Sequence, residues 1–177
     1  DLTRETVEML RRTLPETIRL ELAMEPGPYV IEADPTRIQS ALTNLALNAR
    51  DAMPEGGVLG FALSRVEIQR HDPPPVQDMA PGEWICLSVS DTGIGMTADV
   101  RSQLFEPFFT TKAVGEGTGL GLAQVFGIDQ QHHGHIDVET APGAGSAFHL
   151  YFPASEDGEG PVVREPETSS DRPDGRG

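Results

Sequence analysis

The stretch Gly115-Glu116-Gly117-Thr118-Gly119-Leu120-Gly121-Leu122 constrains this chain more than any other. Four glycines at alternate positions leave the backbone free to come close to a ligand. The apolar run that comes after it, Leu122 to Ile128, has room for a helix. A helix starting there presents unpaired N–H groups and the positive end of its dipole, which together suit a polyphosphate. The same residues also fit a flexible linker or a glycine-rich turn, because short glycine motifs arise often by chance.

Charge sharpens the phosphate reading. The formal net charge is −15 over 177 residues, and the only lysine, Lys112, stands three residues before the glycine stretch. Residues 154–177 hold seven acids against three arginines, and residues 1–153 hold 21 acids against 10 basic residues. Such a body repels nucleic acid and anionic membranes over most of its surface. An anionic ligand therefore needs a local positive feature, and Lys112 is in place to supply one. The length suffices for one domain with a real core. The single cysteine, Cys86, excludes an internal disulfide and reads as a buried core thiol. No stretch is apolar long enough to span a bilayer and no signal-peptide pattern opens the chain, so a cytoplasmic setting without direct membrane contact is expected. The start at Asp1 rather than a methionine reads as a fragment of a longer chain.

Residues 2–13 carry apolar side chains at helical spacing, and Pro15 closes that segment. Residues 17–24 alternate and read as a strand, and Tyr29–Glu32 as a short second one. The most legible helix comes next. Asp34 is a good N-cap and Pro35 a good first residue. Ile38, Ala41, Leu42, Leu45, Ala49 and Ala52 then form one apolar face, while Asn44, Asn48 and Asp51 line another. Asparagine is a mediocre helix former, so two of them one turn apart ask for a reason. They are either a solvated stripe or a pair of amides facing a ligand or a hydrated metal.

Residues 58–68 and Trp84–Ser90 read as strands, joined by a proline-rich loop in which His71 is an exposed bystander. The second strand ends in Asp91-Thr92-Gly93-Ile94-Gly95, a plain turn or a carboxylate placed on a strand edge with close backbone approach. Ala98–Phe105 reads as a short helix. Phe105, Phe108 and Phe109, interrupted by Pro107, suit neither helix nor strand and suggest an irregular segment pinned on an apolar surface. Met96–Gly117 could form a lid hinged by Gly115 and Gly117. A helix over Leu120–Gln131 and two alternating strands, His135–Thr140 and Ser146–Phe152, complete the folded part. His132, His133 and His135 straddle a helix end and a glycine turn, a poor arrangement for a shared metal. Residues 154–177 are acidic and almost without apolar side chains, as in a disordered linker or tail.

Four separated pieces line up in one order: Asn44-x-x-x-Asn48-Ala49-x-Asp51-Ala52, Asp91-x-Gly93-x-Gly95, Phe105-x-Pro107-Phe108 and Gly115-x-Gly117-x-Gly119-x-Gly121. This order resembles the N, G1, F and G2 boxes of the catalytic, ATP-binding domain of two-component sensor histidine kinases. That domain is a branch of the superfamily that also holds gyrase, heat-shock chaperone and mismatch-repair ATPases. The likeness covers about residues 1–153, and FEPFFTTK followed by GTGLGLA looks most like the nitrogen-regulatory and hybrid-kinase branch.

The resemblance implies a two-layer α/β sandwich, a mixed and largely antiparallel sheet with helices on one face. It implies ATP with Mg2+ between the helix of Asn48 and the lid. By position, Asn48 helps hold the magnesium and Asn44 faces the same phosphates. Asp91 accepts a hydrogen bond from the adenine amino group, which selects adenine over guanine. Gly93 and Gly95 let the base approach. Gly117, Thr118, Gly119, Leu120 and Gly121 form the phosphate loop, with Lys112 adding charge. Ser146 sits where the family often has a hydroxyl near the adenine, and Asp51 matches its box without an assigned contact. One departure bears on the chemistry. Hydrolysing members commonly carry a glutamate four residues before the magnesium asparagine, where this chain has Asn44, and an amide cannot act as a general base. The implied reaction is transfer of the γ-phosphoryl group to a histidine on a separate dimerisation domain, and onward to a response-regulator receiver. None of the five histidines here sits in the acidic helical context the family phosphorylates. The fragment is accordingly expected to be monomeric and the whole protein a homodimer. A true ATPase and a degenerate, non-enzymatic module are the competing readings.

Overall fold

The computed structural model describes residues 2–26, 29–110 and 121–155. Helix α1 (Leu2–Thr13) leads into strand β1 (Ile18–Met24), and helix α2 (Pro35–Ala52) comes next. Strands β2 (Gly57–Ile68) and β3 (Gly82–Asp91) precede the five-residue helix α3 (Ala98–Ser102), then helix α4 (Gly121–Gln131) and strands β4 (His135–Thr140) and β5 (Ser146–Pro153). The strands form one sheet in the order β1-β2-β3-β5-β4, in which β1 and β2 run parallel and all other neighbours antiparallel. Helices α1, α2 and α4 pack on one face, giving the mixed two-layer α/β sandwich.

The alternation of apolar residues dictates that layering. Leu59, Phe61 and Leu63 of β2 point inward with Leu87 and Val89 of β3 and Phe148 and Leu150 of β5, and all are buried. Ile38, Ala41, Leu42, Leu45, Ala46 and Ala49 of α2 close over them, with Val7 and Leu10 of α1 and Val125 and Ile128 of α4. Each large side chain fully buried in this way contributes on the order of 1.5–3 kcal/mol. Asp34 caps α2, its Oδ1 accepting the Thr36 N–H at 3.0 Å, a contact worth about 1 kcal/mol. On the opposite sheet face a smaller cluster of Ile68, Met79, Trp84, Cys86 and Tyr151 is covered by the loop between β2 and β3.

Two element assignments made from the sequence fail. Tyr29–Glu32 is not a strand: only Ile31 bridges, to Ala154, and the segment is tied by the Ser155 N–H to the Val30 carbonyl at 2.8 Å. It meets β5 just where Pro153, which has no N–H to donate, ends that strand. The short helix stops at Ser102, not Phe105, and the chain tightens into turns in which the N–H groups of Gln103 and Leu104 reach carbonyls three residues back. No described helix is long and apolar enough to cross a membrane.

Candidate functional site

A cleft of about 790 Å³ opens between α2, the end of β3, the start of β5 and the first residues of α4. Asn44, Asn48, Asp51, Asp91, Gly95, Gly121 and Ser146 line it, so residues singled out in four separate stretches of sequence meet around one space. Met96, Phe109, Thr110 and Leu122 add to the wall. Lys112, Gly117, Thr118, Gly119 and Leu120 lie outside the described residues, as does the glycine part of the expected lid.

At one end stand the two amides of α2. They are one helical turn apart and face the start of α4, where a Cβ on Gly121 would stand 3.9 Å from both side chains. The Asn44 Nδ2 donates to Gln124 Oε1 at 3.2 Å, which turns the Asn44 carbonyl oxygen away from Gln124. Asp51, a turn further on, accepts from the guanidinium of Arg50 at 3.1 Å. This end therefore offers two amide side chains, a carboxylate and the positive end of α4.

At the other end a polar row crosses the sheet. In register, Leu20 of β1 pairs Leu59 of β2, Leu59 pairs Asp91 of β3, Asp91 pairs Ser146 of β5, and Ser146 pairs Thr140 of β4. The row starts in the core and ends in three polar side chains. Asp91 Oδ1 accepts the Gly93 N–H at 2.9 Å. Burial pushes the Asp91 carboxyl above the usual carboxylate range, against the pull of backbone N–H groups of Gly93 and Ser146. Gly93 lies behind the wall rather than on it, where a Cβ would strike the Ala52 carbonyl at 2.5 Å. Gly95 has φ +67° and leaves no room for a Cβ, which would sit 1.9 Å from the Ala141 carbonyl oxygen. That contact locks the turn after β3 against the β4–β5 turn, where the Gly143 N–H also reaches the Ile94 carbonyl at 2.7 Å.

The phenylalanine segment is only partly pinned. Phe105 packs on the core and stacks on Phe126 with ring centroids 5.4 Å apart, and Phe109 lines the cleft. Phe108 has φ +68° and is 75% exposed. The three clustered histidines diverge. His132 accepts the Asp34 N–H at Nε2 (3.1 Å) and donates from Nδ1 to the Ile128 carbonyl (2.6 Å), pinning the end of α4 to the start of α2. His135 meets the Trp84 ring edge-on, and His133 is exposed with φ +58°. Sequence reasoning missed Thr140 and Gln124, which touch the site residues. It also missed Asp129, fully buried in α4 with neither carboxyl oxygen hydrogen-bonded among the described residues. Asp129 was detectable, since it comes after Val125 and Ile128 at the spacing of one helix face.

An open mixed sheet, helices on one face, and a cleft holding a sheet-borne carboxylate opposite helix-borne amides define the nucleotide-binding α/β sandwich of the histidine-kinase and gyrase ATPases. Residues 33–156 match the family described as "Histidine kinase-, DNA gyrase B-, and HSP90-like ATPase", and the chain belongs to it. It is 37% identical over 145 residues to the sensor kinase CckA of Brucella abortus (strain 2308), covering 82% of this chain and 15% of that protein. It is 41% identical over 125 residues to the sensor histidine kinase ZraS of Escherichia coli (strain K12), covering 71% and 23%. Among solved structures, the catalytic domain of histidine kinase ThkA superposes with a TM-score of 0.67 at 28% identity, covering 86% of this chain and 92% of that one. Full-length ShkA in complex with AMPPNP superposes with a TM-score of 0.68 at 29% identity, covering 87% and 29%. The chain thus spans a quarter or less of the curated sensor kinases cited here.

Proposed function

We propose that this domain binds Mg-ATP and delivers its γ-phosphoryl group to a histidine on a separate dimerisation domain of a longer, dimeric protein, from which it passes to a response-regulator receiver. The observation that carries the reading is the two-ended cleft, with Asp91 and Ser146 at one end and Asn44, Asn48 and Gly121 at the other. The adenine amino group donates to Asp91, and the phosphates lie toward α2 and the start of α4. The amide oxygens of Asn44 and Asn48 are hard, neutral ligands of the kind Mg2+ accepts alongside water and phosphate oxygens. They fit that ion, with Asn48 as its expected protein ligand; when bound, it would neutralise charge on the phosphates. Asp51 stands close by without an assigned contact. Lys112 and residues Gly117–Gly121 are proposed to close on the phosphates.

Asn44 favours transfer over hydrolysis, since an amide cannot take a proton from water. Full-length ShkA is in complex with AMPPNP, and the same ligand class is proposed here. Of the stretch 154–177 expected to be a tail, Ala154 and Ser155 are tied to Ile31 and Val30, and the remainder is proposed to tether this domain to a neighbouring one. The test is a calorimetric titration with a non-hydrolysable ATP analogue, with and without magnesium. Magnesium-dependent binding is expected, weakened by roughly tenfold or more in Asp91→Asn, which replaces an acceptor facing the amino group by a mixed amide. No binding at millimolar analogue would end the reading. With a histidine-bearing partner domain added, label should move from γ-labelled ATP to that domain, whereas steady phosphate release by the domain alone would favour the ATPase.

A further inference from the structure

We infer that Thr140, through a fixed order of hydroxyl protons, makes Ser146 an obligate hydrogen-bond acceptor toward the cleft, and that this setting helps the site distinguish a 6-amino purine from a 6-oxo purine. The inference rests on the nucleotide reading above and concerns a residue that touches no ligand, so Thr140 is a positioning residue.

Counting protons fixes the order. A threonine hydroxyl has one proton to give and two lone pairs to receive with. Thr140 Oγ1 lies 3.0 Å from the Gly145 carbonyl oxygen, 3.0 Å from the Met96 backbone nitrogen and 2.9 Å from Ser146 Oγ. A carbonyl only accepts, so the Thr140 proton goes to Gly145. The Met96 N–H only donates, so it fills one lone pair. The remaining contact has a single solution, in which Ser146 donates its own proton to Thr140. All three positions around the Thr140 oxygen are then used, and Ser146 keeps only lone pairs for anything entering the cleft.

Ser146 is 8% exposed and lines the cleft beside Asp91. Asp91 faces the same space as an acceptor, its Oδ1 held by the Gly93 N–H. The sheet end of the cleft therefore shows acceptors on two neighbouring strands. The exocyclic amino group of adenine brings donors to both, whereas the carbonyl of hypoxanthine at that position meets two acceptors. The cross-strand register makes the arrangement rigid, because Thr140, Ser146 and Asp91 are consecutive partners across β4, β5 and β3.

The experiment compares ATP with inosine triphosphate, binding of each to the isolated chain being measured by calorimetry. Thr140→Val keeps the shape but frees the Ser146 proton, which can then donate to a 6-oxo group. The ratio of the two affinities should narrow by roughly five- to tenfold, the scale of one recovered neutral hydrogen bond, and Thr140→Ser should restore it. A merely structural Thr140 would weaken both nucleotides in the same proportion, and an unchanged ratio in Thr140→Val overturns the inference. If Thr140→Val does not fold, Ser146→Ala decides, since removing the acceptor must also narrow the ratio and a wild-type ratio there overturns the inference as well. Failure of wild type to bind either nucleotide is a different result, and it removes the nucleotide reading together with this one.

Discussion

The buried carboxyl of Asp129 makes the most quantitative demand on this domain. Its side chain is fully buried in α4, neither oxygen has a partner among the described residues, and burial pushes its pKa from 3.8 to about 7. A carboxyl whose folded pKa is raised contributes its full share to stability only below the unfolded pKa. Above 3.8 the unfolded chain ionises while the folded one still holds its proton, so stability falls with rising pH until the folded form ionises near 7. The slope is about 1.4 kcal/mol per pH unit and the total about 4 kcal/mol. Asp129→Asn keeps the shape and removes the titration. The buried amide carries its own cost of about 1–3 kcal/mol, which does not depend on pH. The expected signature is therefore the stability gap between variant and wild type as a function of pH, measured by urea unfolding. Between pH 5 and pH 8 that gap should shift by about 3 kcal/mol in favour of the variant, equivalent to about 6–12 °C in Tm for a chain of this length. A gap constant across that range would refute the reasoning, for it would mean that the carboxylate ionises in the folded protein as it does in water.

Three further substitutions test other contacts. Gly134→Ala places a Cβ 2.4 Å from Asp129 Oδ1 and 2.7 Å from the Tyr151 carbonyl oxygen; a loss of about 1–3 kcal/mol in urea unfolding is expected. His132→Phe removes the acceptor of the Asp34 N–H and the donor to the Ile128 carbonyl; about 1–2 kcal/mol should be lost, read as a fall in Tm. Asn48→Ala should abolish the magnesium-dependent part of analogue binding while leaving the preference for adenine over hypoxanthine unchanged, both read by calorimetry.

Much of the frame could be read from local chemistry. The Asp34-Pro35 start and the 3.6-residue spacing from Ile38 to Ala49 fixed α2, because the cap and the apolar face agree. Alternation marks β2 and the first half of β5, where one face is covered by helices, whereas β3 is legible as a continuous apolar run because Trp84 to Leu87 are buried on both faces. Tyr29–Glu32 misled because an extended, partly apolar segment needs a partner to become a strand, and sequence alone does not say where partners end. Within the site, Asn44 and Asn48 could be paired because helix spacing is a local rule. Thr140 could not, because its importance comes from sheet register. Only once β5 lies between β3 and β4 does Thr140 stand beside Ser146, and Ser146 beside Asp91. Ordinary strand threonines look the same in sequence.

That register also explains why the cleft lies where it does. Leu20 and Leu59 continue the Asp91–Ser146–Thr140 row into the core, so one line of side chains runs from under the helices to the open end of the sheet. Its polar half is tolerated only because each polar residue is satisfied by a neighbour: Asp91 by the Gly93 N–H, Ser146 by Thr140, and Thr140 by Met96 and Gly145. The two turns that supply those backbone groups are held together by the close approach of Gly95 to the Ala141 carbonyl, which no other residue permits without moving one of them. The sheet end of the cleft is thus preorganised by packing that owes nothing to a ligand. The helix end is built differently. Among the described residues, its amides are joined to α4 through one exposed side-chain hydrogen bond, from Asn44 to Gln124. On the proposed function, base recognition falls to the rigid half, and the phosphates to a half whose geometry can adjust as the transferred group leaves.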